Sequence, residues 1–317
     1  MDEVSSSKPW LKKAWMHFFN ILLKKDCRDM EERGEVLTKR LPPWAKKRLV
    51  HPEEVHRMKA LLRKRNLHTV CESARCPNMG ECFSKPTATF MILGDVCTRT
   101  CGFCSVAKRS PAPELDPLEP LNIALTAKDL GLRHVVVTSV TRDDLFDGGA
   151  LQFALTIKAV REHNPAILIE VLTPDFRGDE RALRTVIDAR PDIFNHNLET
   201  VPSLYPVVRP GASYVTSLGV IAFSKASVLT AKSGIMVGLG EEEGEVKAVL
   251  RDLLRAGCDA VTIGQYLRPA KENLEVREYV EPDVFREYGE YGRSIGLKHV
   301  YSGPFVRSSY NAETQIS

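Results

Sequence analysis

Six of the eight cysteines in this 317-residue chain lie between positions 71 and 104, in two sets of three. One set is Cys71-Glu-Ser-Ala-Arg-Cys76-Pro-Asn-Met-Gly-Glu-Cys82, and the other is Cys97-Thr-Arg-Thr-Cys101-Gly-Phe-Cys104. Eight cysteines are far too few for a disulfide scaffold of this length. Tight clustering in an otherwise ordinary composition points to metal binding in a reducing compartment. Thiolates are soft ligands that suit zinc, copper(I) or iron–sulfur centres. A structural zinc site wants four closed ligands, commonly in paired knuckles; the Cys97–Cys104 loop offers three unequally spaced thiols and no nearby histidine, and the Cys71–Cys82 set is likewise three thiols. A cubane held by three thiolates keeps one iron free of protein, which is the arrangement of an open, catalytic metal site.

The elements that must position these thiols follow from the hydrophobic pattern. From about Phe90, short apolar runs alternate with longer helical segments. Strands are expected at Phe90–Leu93, His134–Val140, Ile167–Leu172, Ile193–Leu198, Ile235–Leu239 and Ala260–Tyr266. Helices are expected near Asn122–Gly131, Gly149–His163, Glu180–Ala189, Tyr214–Ser227, Glu242–Gly257 and Asp283–Gly296, several ending at a glycine. Such alternation predicts an α/β architecture with a parallel sheet covered by helices, either doubly wound or curled into a barrel. In both cases chemistry belongs at the C-terminal ends of the strands. There the sequence places the cysteine loop, Thr138-Ser-Val-Thr-Arg-Asp-Asp144, Asn195-His-Asn-Leu-Glu199 and Gln265-Tyr266.

Residues 1–65 read as a basic helical extension, with Leu11, Trp15, Phe18 or Phe19 and Leu22 forming one apolar stripe and Leu41-Pro-Pro-Trp44 a break. A formal net charge of +3 is too weak to argue for nucleic acid or an anionic membrane as partner. No stretch reaches the roughly 18 apolar residues of a membrane span. The apolar segment Trp10 to Leu23 is interrupted by Lys12, Lys13, His17 and Asn20 and makes a poor signal peptide, and Asp2 and Glu3 are foreign to a mitochondrial presequence. The expected location is the cytoplasm.

The spacing C-x3-C-x2-C, with Phe103 before the last cysteine and a strand before the loop, resembles the signature of the radical S-adenosylmethionine (SAM) superfamily. The resemblance implies that SAM occupies the open iron and that a deoxyadenosyl radical formed from it breaks an unactivated C–H bond, the cofactor supplying the hard chemistry. The segment Gly234-Ile-Met-Val-Gly-Leu-Gly-Glu241 fits a looser superfamily pattern of backbone close to the adenine.

Both trios together, with Arg307-Ser-Ser-Tyr310 near the end, resemble lipoyl synthases, and the likeness runs from about Leu67 to Ala312. It includes His68-Thr-Val-Cys71, Phe90-Met-Ile-Leu-Gly94, Arg142-Asp-Asp144, His196-Asn-Leu-Glu199, Val208-Arg-Pro-Gly211, Gly264-Gln-Tyr-Leu267 and Gly303-Pro304. Pro86 and Ala231 depart from the family's usual glycine and threonine. The resemblance implies a partial (β/α)6 TIM-like barrel of the radical SAM type, with an N-terminal helical extension and a C-terminal tail closing the barrel mouth. Its segments would be 1–65 (extension), 66–89 (auxiliary cluster), 90–298 (radical SAM core) and 299–317 (tail).

The same resemblance implies two 4Fe–4S clusters, with Cys97, Cys101 and Cys104 holding one and Cys71, Cys76, Cys82 and Ser309 the auxiliary one. SAM contacts carried over are Phe103, Ser139, Asp143, Asn197, Glu199 and Arg209. No residue is expected to act as acid or base. The implied reaction inserts sulfur at the sixth and eighth carbons of an octanoyl group on a carrier lysine, with the auxiliary cluster as donor. Implied partners are octanoylated lipoyl carrier domains of 2-oxoacid dehydrogenase complexes or the glycine cleavage H protein, a flavodoxin- or ferredoxin-like electron donor, and a cluster-assembly carrier. Two other readings are a methylthiotransferase-like two-cluster enzyme and a non-enzymatic iron–sulfur electron carrier. The first would need a longer N-terminal domain and a basic C-terminal module; the second would need clusters fully ligated by cysteine. Cys27 and Cys258 have no place in either trio and read as idle thiols.

Overall fold

The computed structural model describes residues 41–47, 50–85, 87–109, 111–227 and 229–312. The expected apolar stripe of the first forty residues, Cys27 and Pro86 lie outside the described residues. After a 3-10 turn at Pro43–Ala45, helix α1 (Pro52–Lys64) opens the body, with proline in its first turn, Glu53 and Glu54 behind it and Arg63 and Lys64 at its end. That charge order suits the helix dipole. Strand β1 (His68–Thr69), the short helices α2 (Val70–Ser73) and α3 (Met79–Phe83) and strand β2 (Thr87–Ile92) follow. Strands β3 (Val96–Cys97) and β4 (Ala107–Lys108) pair with each other and bracket the second cysteine loop.

The remainder is a repeating strand–helix pattern. It runs α4 (Glu119–Asp129), β5 (His134–Ser139), α5 (Ala150–His163), β6 (Leu168–Leu172), α6 (Glu180–Asp188) and β7 (Ile193–Asn195). The short α7 (Tyr205–Val208) precedes α8 (Tyr214–Ala226), β8 (Thr230–Val237), α9 (Glu243–Arg255), β9 (Ala260–Gln265), α10 (Pro282–Ser294) and β10 (His299–Gly303). One sheet has the order β1-β2-β5-β6-β7-β8-β9-β10, parallel throughout except for the antiparallel β1–β2 pair. Its ends, β1 and β10, are not bonded to each other, so the barrel is partial. The six expected strands are present. The sheet gains a further parallel strand, β10, in residues that read from sequence as tail. His299-Val-Tyr-Ser-Gly303 has the polar alternation of an edge strand and only one fully apolar aliphatic residue, so no continuous buried run marked it.

Register divides the sheet into two faces. On one lie Val135, Val137, Ile169, Val171, Phe194, Ile235, Val237, Val261 and Ile263, all in the apolar cores beneath the helices. A fully buried side chain of this size contributes about 1.5–3 kcal/mol. The other face carries Thr87, Thr89, Gly234, Thr262 and Gly264, which line a cavity. Nearer the N-terminal ends of the strands, this inner face is plugged by a buried polar cluster. Lys232 donates to both oxygens of Glu170 at 2.9 and 3.1 Å, Asn195 donates to Glu170 at 2.8 Å, and the His134 ring stands 3.5 Å away. Lys232 and Glu170 are wholly buried.

Burial pushes the Glu170 carboxyl up, yet Lys232 and His134 outweigh it and hold it below its ordinary value. Removing one partner strands the other charge in a dry interior. Lys232→Met should therefore cost about 3–5 kcal/mol in urea unfolding, and adding Glu170→Gln should restore most of the loss. A single variant as stable as the parent would refute this account of the barrel floor.

Candidate functional site at the barrel mouth

The second cysteine loop leaves β3 and is fixed by backbone bonds on three sides. Thr98 donates to Thr141 O at 3.0 Å, Gly102 to Val208 O at 3.0 Å, and Leu274 to Gly102 O at 3.1 Å. Asn273 adds side-chain bonds to the carbonyls of Gly102 and Cys104 at 3.2 and 2.9 Å. Cys97 Sγ accepts from the amides of Arg99 and Thr141, both at 3.4 Å. The first cysteine segment sits beside this loop: Ser105, next to Cys104, donates to Ser73 O at 2.6 Å. The two trios therefore belong to one structural unit. Six thiols and the hydroxyl of Ser309 are arranged around the mouth, with Cys71, Cys76, Cys82, Cys104 and Ser309 lining a cavity of about 400 Å³.

All seven described cysteines are free. Burial, and then the neighbouring Cys76 and Cys82, push the Cys71 thiol well up. Burial pushes Cys82 up to about 12 and Cys104 up to about 11. Such thiols stay protonated at neutral pH until a cation takes the proton's place. Among the described residues no three Cys, His, Asp or Glu side chains converge as a single metal ion requires. A lone zinc draws its ligands to within about 2.0–2.3 Å of one point, whereas a cubane spreads three thiolates over separate corners. Two groups of clustered soft donors, Cys97, Cys101 and Cys104, and Cys71, Cys76 and Cys82, are residues that could hold a larger inorganic group beside this void.

The tail reaches this site by close backbone approach. A Cβ on Gly264 would stand 2.1 Å from Val306 O, so only glycine lets the tail cross β9. Arg307 lies there, part-buried, near Cys76 and Glu199, and the loss of water around its guanidinium lowers its pKa. Its guanidinium donates to Val306 O at 2.6 Å and Pro304 O at 3.4 Å. Ser308 exchanges hydrogen bonds with Asn197 at 2.7 and 3.0 Å, which leaves the next residue, Ser309, on the cavity wall.

Of the residues expected to contact SAM, Phe103, Asn197 and Glu199 line the cavity. Glu199 has the left-handed backbone (φ 67°) that non-glycine residues rarely adopt, pinned by a bridge to Ile235. Burial raises its pKa against the opposing pull of Arg209 and Asn197. Arg209 sits behind the wall and donates to the carbonyls of Asn197 and Leu198 at 3.0 and 3.2 Å. Ser139 Oγ is buried with no protein partner. Both oxygens of Asp143 accept from Arg99, at 2.7 and 2.9 Å.

Arg99 was missed by motif reading although it lies inside the cysteine loop. It is 8% exposed and also grips Asp175 at 2.7 and 2.8 Å, tying the loop to the ends of β5 and β6. Burial raises the Asp175 carboxyl, but Arg99 prevails and brings it down to about 2.

The fold and the cysteine loop define a radical SAM enzyme. Residues 91–264 match the Radical SAM superfamily. The solved methylornithine synthase superposes with a TM-score of 0.53 at 16% identity, covering 72% of this chain and 76% of that one. The coproporphyrinogen III oxidase of Escherichia coli gives 0.50 at 11% identity, covering 67% and 53%. Residues 22–76 match the N-terminal domain of lipoyl synthase of the Radical SAM family. The lipoyl synthase of Caldanaerobacter subterraneus is 55% identical over 89% of this chain and 99% of its own. That of Caldicellulosiruptor saccharolyticus is 56% identical over 86% and 96%. The chain belongs to the lipoyl synthase family, sulfurtransferases that convert a protein-bound octanoyl group to lipoyl. SAM and a 4Fe–4S cluster belong to that family's chemistry.

His196, between the strand end and Asn197, is buried with Nδ1 2.8 Å from Thr173 O. Burial, reinforced by Arg209, lowers its pKa from 6.5 to about 4. The unfolded chain takes up this proton near pH 6.5, while the folded one resists until about pH 4. Stability carried by the neutral ring is therefore lost as pH falls through that window, at up to about 1.4 kcal/mol per pH unit. Urea titrations of the apoprotein between pH 7 and 4 should fall less steeply for His196→Asn than for the parent; parallel curves would refute the assignment.

Proposed function

We propose that the two cysteine trios hold two separate cubanes, and that the one on Cys71, Cys76, Cys82 and Ser309 is the sulfur source for the lipoyl synthase reaction. The observation that carries this reading is the shared cavity: Cys104 of one trio, all three thiols of the other and Ser309 line the same void. When bound, the first cluster with SAM supplies the hydrogen-abstracting radical, and the second supplies sulfide to the sixth and eighth carbons of the acyl chain.

The chain's own residues bind, aim and shield. Cys97, Cys101 and Cys104 supply three thiolates, leaving an open coordination position for SAM. Phe103, Asn197 and Glu199 stand on the cavity wall where a nucleoside-bearing cosubstrate would lie. Asp143 and Arg209 support that wall through Arg99 and through the carbonyls of Asn197 and Leu198. Ser139 offers a buried hydroxyl at the strand end. The glycine and threonine faces of β2, β8 and β9 make room for an unbranched acyl chain while keeping water out. Thr87 and Thr262 present hydroxyls with methyls to that chain and contribute no charge.

The substrate in this reading is an octanoyl-lysine on a lipoyl carrier domain of a 2-oxoacid dehydrogenase complex or on the glycine cleavage H protein. A flavodoxin- or ferredoxin-type donor supplies the electron, and a cluster carrier rebuilds the auxiliary site. No described helix is long and apolar enough to cross a membrane. The proposed location is the cytoplasm, in keeping with seven free thiols.

Anaerobically reconstituted enzyme, given SAM, reductant and an octanoylated carrier peptide, should give product heavier by two sulfurs less the hydrogens removed. With isotopically labelled sulfide in the clusters, that sulfur should appear in the product. Cys71→Ala should retain SAM cleavage and lose sulfur insertion by a factor of 100 or more, as the loss of a cofactor ligand commonly does. Unlabelled product, or insertion by Cys71→Ala at the parent rate, would defeat the donor assignment.

A further inference from the structure

The Arg-Ser-Ser-Tyr segment contains one conspicuous side chain that the reaction does not use, Tyr310. Its hydroxyl donates to Glu81 Oε1 at 2.8 Å. The same carboxylate accepts from Lys47 at 2.8 Å through Oε2 and from Lys85 at 2.9 Å through Oε1. Both ammonium groups also face the Tyr310 ring, at 5.1 and 5.5 Å from its centroid. Lys47 is 5.2 Å from the Phe305 ring as well and donates to Asn78 at 2.6 Å, while Asn78 donates to Phe305 O at 2.8 Å. Lys85 reaches Asn311 at 2.6 Å. Tail residues on either side of Ser309 are thus tied to the segment between Cys76 and Cys82, and Glu81 is the node. Tyr310 follows Ser309 in the chain, and Glu81 precedes Cys82.

We propose that Glu81 is a positioning residue that holds the Ser309 hydroxyl in register with Cys82 by clamping Tyr310 between Lys47 and Lys85. The proposal deepens the reading of Ser309 as a cluster ligand and rests on it. A serine oxygen is a hard ligand on iron that prefers sulfur, so its bond to the metal alone is a poor tether for a chain terminus. Charge-assisted bonds and cation–π contacts around one carboxylate supply the tether instead. The side chains of Lys47, Glu81 and Lys85 remain 19–32% exposed. The clamp is therefore reachable by water and can open without unfolding the barrel.

Two readouts on the full-length, two-cluster protein test this. The first is hydrogen exchange of the peptide spanning residues 304–312. The second is the rate at which a ferrous chelator strips iron under anaerobic conditions. Glu81→Gln should raise both by about tenfold, the scale of losing bonds to a charged acceptor. Tyr310→Phe, which keeps the ring and loses the hydroxyl, should raise them by a smaller factor. Glu81→Asp should move them back toward the parent. In a Ser309→Ala background, Glu81→Gln should add nothing further to iron loss, because the two residues act on one bond. The change in the first cluster's EPR signal on adding SAM should stay as in the parent.

Parent-like tail exchange in Glu81→Gln and Tyr310→Phe would overturn the clamp. Loosened tail exchange with unchanged iron loss would show a purely structural tie and overturn the positioning role. Additive iron loss in the double variant would do the same. A parent enzyme that binds one cubane only would instead sink the two-cluster reading, while the tail-exchange arm would still judge the clamp. If Glu81→Gln fails to fold, Tyr310→Phe carries both readouts.

Discussion

The site depends on the barrel having an interior at all. Barrels of parallel strands are ordinarily filled by branched aliphatic side chains in layers. Here most of the branched aliphatic residues of β5 to β9 point outward, into the helices, while Val136 and Ile193 share the inner face with Glu170. The inward positions of β2, β8 and β9 near the mouth carry threonine and glycine. A Cβ at Gly234 would meet Thr262 Oγ1 at 2.4 Å and Ser308 Oγ at 3.1 Å. Even one methyl group there would push the tail serines away from Asn197. The polar cluster of Glu170, Lys232, Asn195 and His134 fills the inner face below, and the cysteines stand on the cavity wall.

Charge is placed to match. The cavity wall carries Arg75, Lys85, Arg268 and Arg307 against the single carboxylate of Glu199. Three thiolates on a cubane would leave a net negative group, and a partly desolvated guanidinium such as Arg307 favours one nearby. Burial lowers the pKa of Arg307 and raises that of the Cys71 thiol on the same cavity wall. Both deviations have the same cause, burial of one charge type without its partner, and a bound anionic cluster would relieve both.

The helices and most strands were legible because their signals are local. Ala150–His163 starts beyond a double glycine, Glu243–Arg255 starts at a capping box, and both fall within two residues of expectation. Strand β2 begins at Thr87, earlier than the apolar run suggested, because its inward threonines read as polar. Strand β10 was invisible for a related reason: an edge strand of a partial barrel is buried on few of its positions. The cysteines were legible by spacing. Arg99 was not, although it sits between two of them, since its role is set by Asp143 and Asp175, in the segments that follow β5 and β6. Nothing in the sequence near Glu81 announces Tyr310, 229 positions away.

That long-range tie bears on how a sacrificial site can be both stable and spendable. A fourth cysteine would hold iron more firmly than Ser309 and would resist release of the metal. A serine with no outside support would leave the auxiliary iron exposed before substrate arrives. In the proposed reading, separating the two tasks resolves the conflict: the hydroxyl would meet the metal, while the contacts among Lys47, Glu81, Lys85 and the Tyr310 ring would keep it in place. The weak bond can then be broken by chemistry at the cluster, and the tail still returns to the same place because its dock, on Asn78 and Glu81, stands apart from the inorganic core. If the auxiliary cluster is spent as proposed, the chain needs a ligand set that survives the loss of what it binds. Docking the tail on protein rather than on metal meets that need.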